Sequence, residues 1–138
     1  METTELIKEL LNKTKLAVIS TVGNPAPESA VLEFGNSEEL ELVFDTFISS
    51  RKYKNLQDNN NVSFVIGWDN NITVQYEGVA EEIVGEEAKK YKQIYWEKNP
   101  EAKRWAKTEG ITYFRVKPKW IRYSDLNKDP WAVQELTF

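Results

Sequence analysis

Large apolar side chains recur at every second position in several short runs of this chain, which is the pattern of β-strands with one buried face. In the third run, Leu40, Leu42 and Phe44 alternate with residues expected on the opposite face. The turn-forming segments GNPAP and GNSEE separate the first three runs, so the chain can reverse direction between them. The first half therefore predicts a meander of antiparallel strands at residues 15–21, 28–34 and 39–45.

The second half of the chain continues the strand pattern and changes its phase at a glycine. Further strands are predicted at 62–68, 111–117 and 119–124, and a longer one at 72–84 follows the turn DNN. Within the longer run, the large apolar side chains change faces after Gly78. A glycine at such a phase shift is typical of a β-bulge or a sharp bend, which a small barrel needs in order to curve its strands.

Helical spacing is found in a few segments only. Apolar residues at helical spacing predict a short N-terminal helix in METTELIKELLNK, and the segment SRKYKNLQ predicts a helix that begins at about Ser50. A third helix fits EEAKKYKQIYWEKN, and Pro100 can begin a fourth that runs to Gly110. Six or seven strands with few helices indicate a mainly β fold. We expect an antiparallel barrel with peripheral α-helices, formed by a single domain at 1–138.

Composition removes several kinds of chemistry. The chain of 138 residues contains neither cysteine nor histidine. Disulfides, cysteine-based zinc or iron–sulfur sites and serine–histidine catalysis are therefore excluded, and no metal site is predicted. No apolar run approaches the roughly 20 residues that a membrane span needs, and the N-terminus lacks the layout of a signal peptide. We therefore expect a cytoplasmic protein with no membrane partner. The net charge of −4 argues against nucleic acid as a partner.

One cationic cluster contrasts with this acidic composition. Arg51, Lys52 and Lys54 follow Ser50 directly after a predicted strand, at the start of a predicted helix. A helix N-terminus attracts anions, so cations in its first turn are locally unfavourable unless an anion binds there. A phosphate monoester carries close to two negative charges and satisfies both the helix and the cations. The alternative to an anion site is a solvent-exposed basic helix in which Lys54 pairs with Asp58.

The surrounding sequence favours the anion site through a family resemblance. The segment TFISSRKYKNLQDNNNVSFVI, followed by VQYEGVAEE, resembles the pyridoxamine 5′-phosphate oxidase-like family of FMN-binding split barrels. The similarity covers roughly residues 5 to 125. It implies a split barrel that binds FMN at a homodimer interface and transfers a hydride between the flavin and a small-molecule substrate.

The resemblance also implies which residues contact the cofactor. Ser50, Arg51 and Lys52 would bind the FMN phosphate, and Thr46 would form a hydrogen bond nearby. Backbone groups of one strand segment would lie along the flavin ring, and either Gln75 or Thr73 would contact it. That strand segment comprises Ser29, Ala30, Val31 and Leu32.

Two departures argue against pyridoxamine phosphate as the substrate. Family members that oxidise it have an arginine at the start of the second strand's flavin segment, where this chain has PES at 27–29. Their C-terminal segment carries an arginine and a histidine, whereas the tail SDLNKDPWAVQELTF has neither. No catalytic residue is assigned, because flavin itself supplies the redox chemistry.

Other residues could bear function, and most have simpler explanations. The five tryptophans are expected mainly in cores or interfaces, with Trp120 and Trp131 the better candidates for pocket or dimer contacts. Glu81 and Glu82 are expected to point to opposite faces of a strand, which argues against a catalytic dyad. Three classes of function remain open. They are an FMN-dependent oxidoreductase, a flavin sensor or store without turnover, and a barrel for another ligand such as heme, a deazaflavin or single-stranded nucleic acid.

Overall fold

A curled antiparallel sheet of eight strands dominates the computed structural model, which describes all 138 residues. The strands are β1 (Leu16–Thr21), β2 (Glu28–Glu33), β3 (Gly35–Asn36), β4 (Leu42–Phe47), β5 (Asn61–Ile66), β6 (Ile72–Ile83), β7 (Ile111–Asp125) and β8 (Ala132–Thr137). The α-helices are α1 (Thr3–Lys13), α2 (Arg51–Asp58) and α3 (Gly85–Lys98), and short 3₁₀ helices occupy Asp69–Asn71 and Pro100–Trp105. The predicted mainly β fold with peripheral helices is confirmed. No helix combines the length and the apolar composition that crossing a membrane requires.

Strand order explains why the barrel is split. The strands pair in the order β2-β1-β5-β6-β7-β4-β3, and β8 pairs with the C-terminal half of β7. The strands β2 and β4 therefore do not pair with each other, although residues of both line one cavity. We call the space between these two strands the seam. It is where the curled sheet fails to close, and it leaves one side of β2 without a strand partner.

Two apolar clusters hold the sheet and helices together. The larger one fills the inside of the curled sheet and contains Phe44, Phe64, Phe114 and Tyr76, whose hydroxyl donates to the Leu40 carbonyl oxygen at 2.7 Å. The smaller one lies between α3 and the outer side of the sheet. Both faces of β4 are consequently buried, whereas the sequence pattern predicted one buried face. The smaller cluster comprises Val43, Ile83, Ala88, Tyr91, Tyr95, Ala102 and Tyr113.

The bend predicted at Gly78 lies opposite a β-bulge in the neighbouring strand. Glu77 pairs with Trp120 and Gly78 pairs with Pro118, so Lys119 of β7 is the extra residue. The two final strands predicted from the sequence are thus one long strand bent at this bulge. Because the bend brings the two backbones close together, only glycine fits at residue 78. A Cβ atom there would lie 2.4 Å from the Lys117 carbonyl oxygen.

We expect Gly78→Ala to destabilise the protein by about 1–3 kcal/mol, the usual cost of forcing extra atoms into a packed site. The backbone oxygen that the new methyl group meets cannot rotate away as a side chain could. Chemical denaturation of Gly78→Ala beside Glu77→Ala, a change at the exposed neighbouring position, measures the difference. Equal unfolding free energies for Gly78→Ala and the parent protein would contradict the close approach.

An ionic cluster around the buried Arg115 fastens α3 to the sheet. The side chain of Arg115 on β7 is 9% exposed and contacts Glu81 at 3.2 Å and Glu87 at 3.4 Å. It also lies 3.6 Å from Glu41, whose carboxylate accepts a hydrogen bond from Tyr91 of α3. The guanidinium thus joins β6, the loop before β4 and α3. This cluster fixes the helix that carries Tyr95 to the seam.

The sequence predicted most element positions and missed the C-terminal strand. The helix predicted from Ser50 begins at Arg51 with Ser50 as its N-cap, and the turn DNN forms a 3₁₀ turn. The segment from Pro100 forms a 3₁₀ helix that ends at Trp105, short of the predicted Gly110. The tail was assigned no element, but it forms β8 because residues 132–137 find a pairing edge on β7.

Candidate functional site

The start of α2 brings a hydroxyl pair and two cations together. Ser50 has extended backbone angles, and its Oγ accepts the Tyr53 backbone N–H at 3.1 Å, which is the standard N-cap interaction. The same Oγ lies 3.0 Å from Oγ1 of Thr46, at the end of β4. The first turn of α2 contains no acidic residue and instead carries Arg51 and Lys52. Its first N–H groups have no intrahelical acceptor, so they add to the positive character of this end.

A small cavity of about 130 Å³ lies beside this helix end. Its lining includes Ser50, Arg51 and Lys52 from the α2 end and Glu28 and Ala30 from β2. We call it the anion cavity, because two cationic side chains and a helix N-terminus surround it. A carboxylate already occupies this environment, since Glu28 Oε2 lies 3.2 Å from Arg51 Nη1.

A second and larger cavity of about 330 Å³ occupies the seam. Val31 and Leu32 of β2 form one wall, and Phe47 of β4 and Trp105 contribute to the other. Ser50 and Lys52 line this seam cavity as well as the anion cavity, so the two adjoin. Phe47 and Trp105 contact each other edge to face, with ring centroids 6.3 Å apart. The combined space is polar and cationic at the α2 end, and along the seam its apolar lining is interrupted by the acidic residues Glu33 and Asp45.

Charged groups inside the seam are perturbed by burial. Burial lowers the pKa of Lys52, and the nearby Asp45 carboxylate opposes that shift. Burial likewise raises the pKa of Asp45, although a hydrogen bond from the Tyr95 hydroxyl at 3.1 Å lowers it in part. The Lys52 ammonium donates to Thr46 Oγ1 at 3.5 Å. Because burial removes part of the hydration of Lys52 and no carboxylate forms an ion pair with it, an anionic ligand would stabilise its charged form.

The structure brings together most of the cofactor-binding residues that were predicted from the sequence. The two cavities are lined by Thr46, Ser50, Arg51 and Lys52, which follow one another from the end of β4 to the first turn of α2. Ala30, Val31 and Leu32 of β2 line one cavity or the other. The role of these residues in binding FMN stays a prediction.

Three of the predicted site residues line neither cavity. Ser29 points away from the cavities and its Oγ lies 2.9 Å from that of Ser20. Gln75 and Thr73 are on β6, and neither lines the anion cavity or the seam cavity. Gln75 is exposed between its cross-strand neighbours Val65 and Arg122. Within one chain it cannot complete the site around Ser50.

Several residues at the site were not predicted from the sequence. Asp45 and Tyr95 are 50 residues apart in the chain, and nothing in their local sequences signals that they meet. Asn55 donates to Glu28 at 2.7 Å and to Thr21 at 3.0 Å, which links α2 to β1 and β2. The only available signal was the segment PES at 27–29, which contains Glu28 and stands where family members that oxidise pyridoxamine phosphate have an arginine.

The two glutamates and two tryptophans considered from the sequence line neither cavity. Glu81 contacts Arg115, whereas Glu82 accepts hydrogen bonds from Tyr53 and Thr112, so the two adjacent carboxylates serve different faces of β6. Trp120 and Trp131 line neither cavity; Trp120 donates to Glu135 and Trp131 is exposed. Their proposed role in dimer contacts stays a prediction. No cluster of three or more potential metal-binding side chains is present.

Comparisons with known proteins agree with this architecture. A family model described as pyridoxamine 5′-phosphate oxidase matches residues 3–125. No curated protein sequence matches the chain. Among solved structures, General Stress Protein 26 from Bacillus anthracis str. Sterne is 25% identical with a TM-score of 0.78, and the match covers 100% of both chains.

Two proteins described by their heme chemistry share the fold. The heme binding protein from Mycobacterium smegmatis is 15% identical with a TM-score of 0.87, and the match covers 99% of this chain and 58% of that one. The chain thus spans little more than half the length of that protein. HutZ, the heme storage protein from Vibrio cholerae, is 18% identical with a TM-score of 0.66 and coverage of 86% and 92%. At these identities the likeness establishes a common fold alone.

Proposed function

This chain belongs to the pyridoxamine 5′-phosphate oxidase family, and from that premise we propose that it is an FMN-binding oxidoreductase that acts on a small molecule other than pyridoxamine phosphate. The observation that carries the proposal is the anion cavity. Arg51, Lys52 and the capped start of α2 converge there, directly beside an apolar seam. A molecule with a phosphate at one end and a flat aromatic system at the other matches this succession of polar and apolar lining.

The donor set fits a phosphate monoester. Two cationic side chains, the Ser50 hydroxyl and the first N–H groups of α2 are donors to the same small cavity. Each charge-assisted hydrogen bond to a phosphate oxygen contributes about 1.5–3 kcal/mol in a favourable geometry. The chain's net charge of −4 does not outweigh this cluster, because charges farther away than about 8 Å are largely screened at physiological salt.

The seam is the proposed place of the ring system. Val31 and Leu32 lie on the edge strand β2, whose outer side has no strand partner and so offers backbone N–H and C=O groups. Apolar side chains on both sides of the seam exclude water from a bound ring. When bound, the flavin supplies hydride transfer at its ring nitrogen, while the residues of this chain orient it and exclude solvent.

We further propose that the functional unit is a homodimer formed through the outer face of the sheet. Across β2, β1, β5 and β6, the register aligns Val31, Val18, Val65 and Gln75 in one row on that face. Val31 is 62% exposed and Val65 is 43% exposed, which is unusual for a row of apolar residues on a sheet. A second copy on this face would bury the row and add its own residues to the seam.

The substrate preference follows from two local features. Glu28 stands at the head of β2 and presents a carboxylate where an arginine would favour a second phosphate. The C-terminal tail forms β8 against the far half of β7, and β8 itself contains no arginine, lysine or histidine. These features disfavour a phosphorylated substrate such as pyridoxamine phosphate.

Heme binding is the alternative that the fold relatives suggest, and the donor set of this chain disfavours it. Heme iron usually takes a histidine, cysteine, methionine or tyrosine ligand. The chain has no histidine or cysteine, and its only methionine is Met1. Tyr95 lines the seam, but its hydroxyl donates to Asp45, and burial raises its pKa and so opposes the phenolate form.

The purified protein should show the yellow absorption of oxidised flavin or acquire it when FMN is added. Identification of the compound released on denaturation distinguishes FMN from heme and deazaflavin. Anaerobic bleaching by a nicotinamide donor then separates an oxidoreductase from a flavin store. A colourless protein that does not bind added FMN would refute the proposal, and a heme Soret band would favour the alternative.

A further inference from the structure

Glu28 directs its carboxylate into the anion cavity and is held there from two sides. Its Oε2 lies 3.2 Å from Arg51 Nη1, and its Oε1 accepts a hydrogen bond from the Asn55 side-chain amide at 2.7 Å. Asn55 also donates to Thr21 Oγ1 at 3.0 Å, which restrains the amide. The carboxylate of Glu28 therefore has the same kind of partners that a phosphate oxygen would have in this cavity.

Glu28 is the only anionic residue among those that line the anion cavity. The cations there are Arg51 and Lys52, so the net charge of the lining is one positive with Glu28 ionised and two positive without its charge. A phosphate group and this carboxylate compete for the hydrogen-bond donors of Arg51, and their like charges repel at short range. Binding of a phosphate monoester is therefore opposed as long as the carboxylate stays on the guanidinium.

The pair can be broken at low cost. The Arg51 side chain is 75% exposed and that of Glu28 is 26% exposed, so water solvates the separated groups. Glu28 is also the first residue of β2, next to a turn, and side-chain contacts alone hold its carboxylate on Arg51 and Asn55. Displacement of the carboxylate therefore requires no change in the sheet.

We propose that Glu28 is a built-in competitor for the anion cavity, whose carboxylate binds Arg51 in the ligand-free protein and is displaced when a phosphate monoester binds. The inference rests on the proposed function in that it takes this cavity to be the phosphate site. It assigns Glu28 a role in setting affinity: the residue weakens phosphate binding and makes the cofactor easier to exchange. It also explains why a carboxylate can stand at the entrance of a phosphate site.

The test compares Glu28→Gln with the parent protein in titrations of FMN, riboflavin and inorganic phosphate. Glutamine keeps the size and the acceptor for Asn55 but removes the charge. We expect FMN affinity to rise on the order of tenfold, equivalent to about 1.4 kcal/mol, and riboflavin affinity to stay unchanged. Glu9→Gln, an exposed position on α1, makes the same change in net charge away from the site and should leave all three affinities unaltered.

A second measurement follows the displacement directly. The NMR signal of the Asn55 side-chain amide should shift when inorganic phosphate is added to the parent protein, because the amide loses its charged acceptor. Glu28→Ala provides a second variant, in which FMN binding should also tighten. Unchanged or weaker FMN binding in both variants would overturn the role of Glu28.

The outcomes separate this inference from the proposed function. If neither parent nor Glu28→Gln binds FMN but the variant binds inorganic phosphate more tightly, the FMN assignment fails and the competitor role stands. If the parent binds FMN and neutralisation of Glu28 has no effect, the competitor role fails alone. If no protein binds FMN or phosphate, both are overturned.

Discussion

Arg51→Ala should weaken FMN binding by about 10- to 100-fold and leave riboflavin binding nearly unchanged. The estimate corresponds to the loss of one charge-assisted hydrogen bond to the phosphate, about 1.5–3 kcal/mol. The substitution also releases Glu28 from its ion pair, so an unpaired carboxylate remains beside the incoming phosphate. Calorimetric or fluorescence titration with the two flavins measures the ratio directly, since they differ only in the phosphate.

Lys54→Ala is the matched control for this experiment. Lys54 lies on the same helix as Arg51 and is exposed, but it lines neither the anion cavity nor the seam cavity. Its removal changes the net charge equally and should alter FMN affinity only slightly. A similar loss for both flavins in Arg51→Ala would mean that Arg51 supports the site as a whole and does not recognise the phosphate.

Arg115→Ala should destabilise the folded protein by about 3–5 kcal/mol, a large part of the 5–15 kcal/mol that is typical of a single domain. The substitution removes the cation that faces Glu41, a buried carboxylate that is 9% exposed. Glu41 would keep hydrogen bonds from Tyr91 and Ser37 but no compensating charge. Denaturant unfolding followed by tryptophan fluorescence gives the free energy of unfolding.

Two further variants locate the origin of that loss. Arg122→Ala removes an arginine from an ion pair with Glu135 in which both side chains are about 40% exposed, so its effect should be smaller than that of Arg115→Ala. Adding Glu41→Gln to Arg115→Ala removes the unpaired carboxylate and should restore part of the stability. If the double variant is no more stable than Arg115→Ala, the loss comes from packing of the arginine side chain and not from the buried charge.

The agreement between sequence and structure is greatest where local chemistry decides the conformation. The serine at residue 50 predicted the start of α2, because an N-cap hydroxyl bonds a backbone N–H three residues further on. The glycine at a change of apolar phase predicted a bend at residue 78, and the structure shows that a side chain there would collide with the neighbouring strand. Both predictions depend on interactions within a few residues or one strand pair.

The failures of prediction have a different physical origin. β8 was missed because its six residues become a strand only when they pair with β7. Both faces of β4 are buried because α3 covers the outer face through contacts with Val43, and no alternation within β4 can reveal a helix 40 residues away. The partners Asp45 and Tyr95, and the ion pairs of Arg115, likewise join distant parts of the chain.

The sequence by itself determined the mainly β fold, the absence of histidine and cysteine chemistry, and the cationic start of α2, since each follows from composition or from spacing over a few residues. The tertiary structure alone decided that this cationic end faces a seam between β2 and β4, that Gln75 lines neither of the two cavities, and that Glu28 reaches Arg51. These facts depend on how the sheet curls, which is set by long-range strand pairing and by the bulge opposite Gly78.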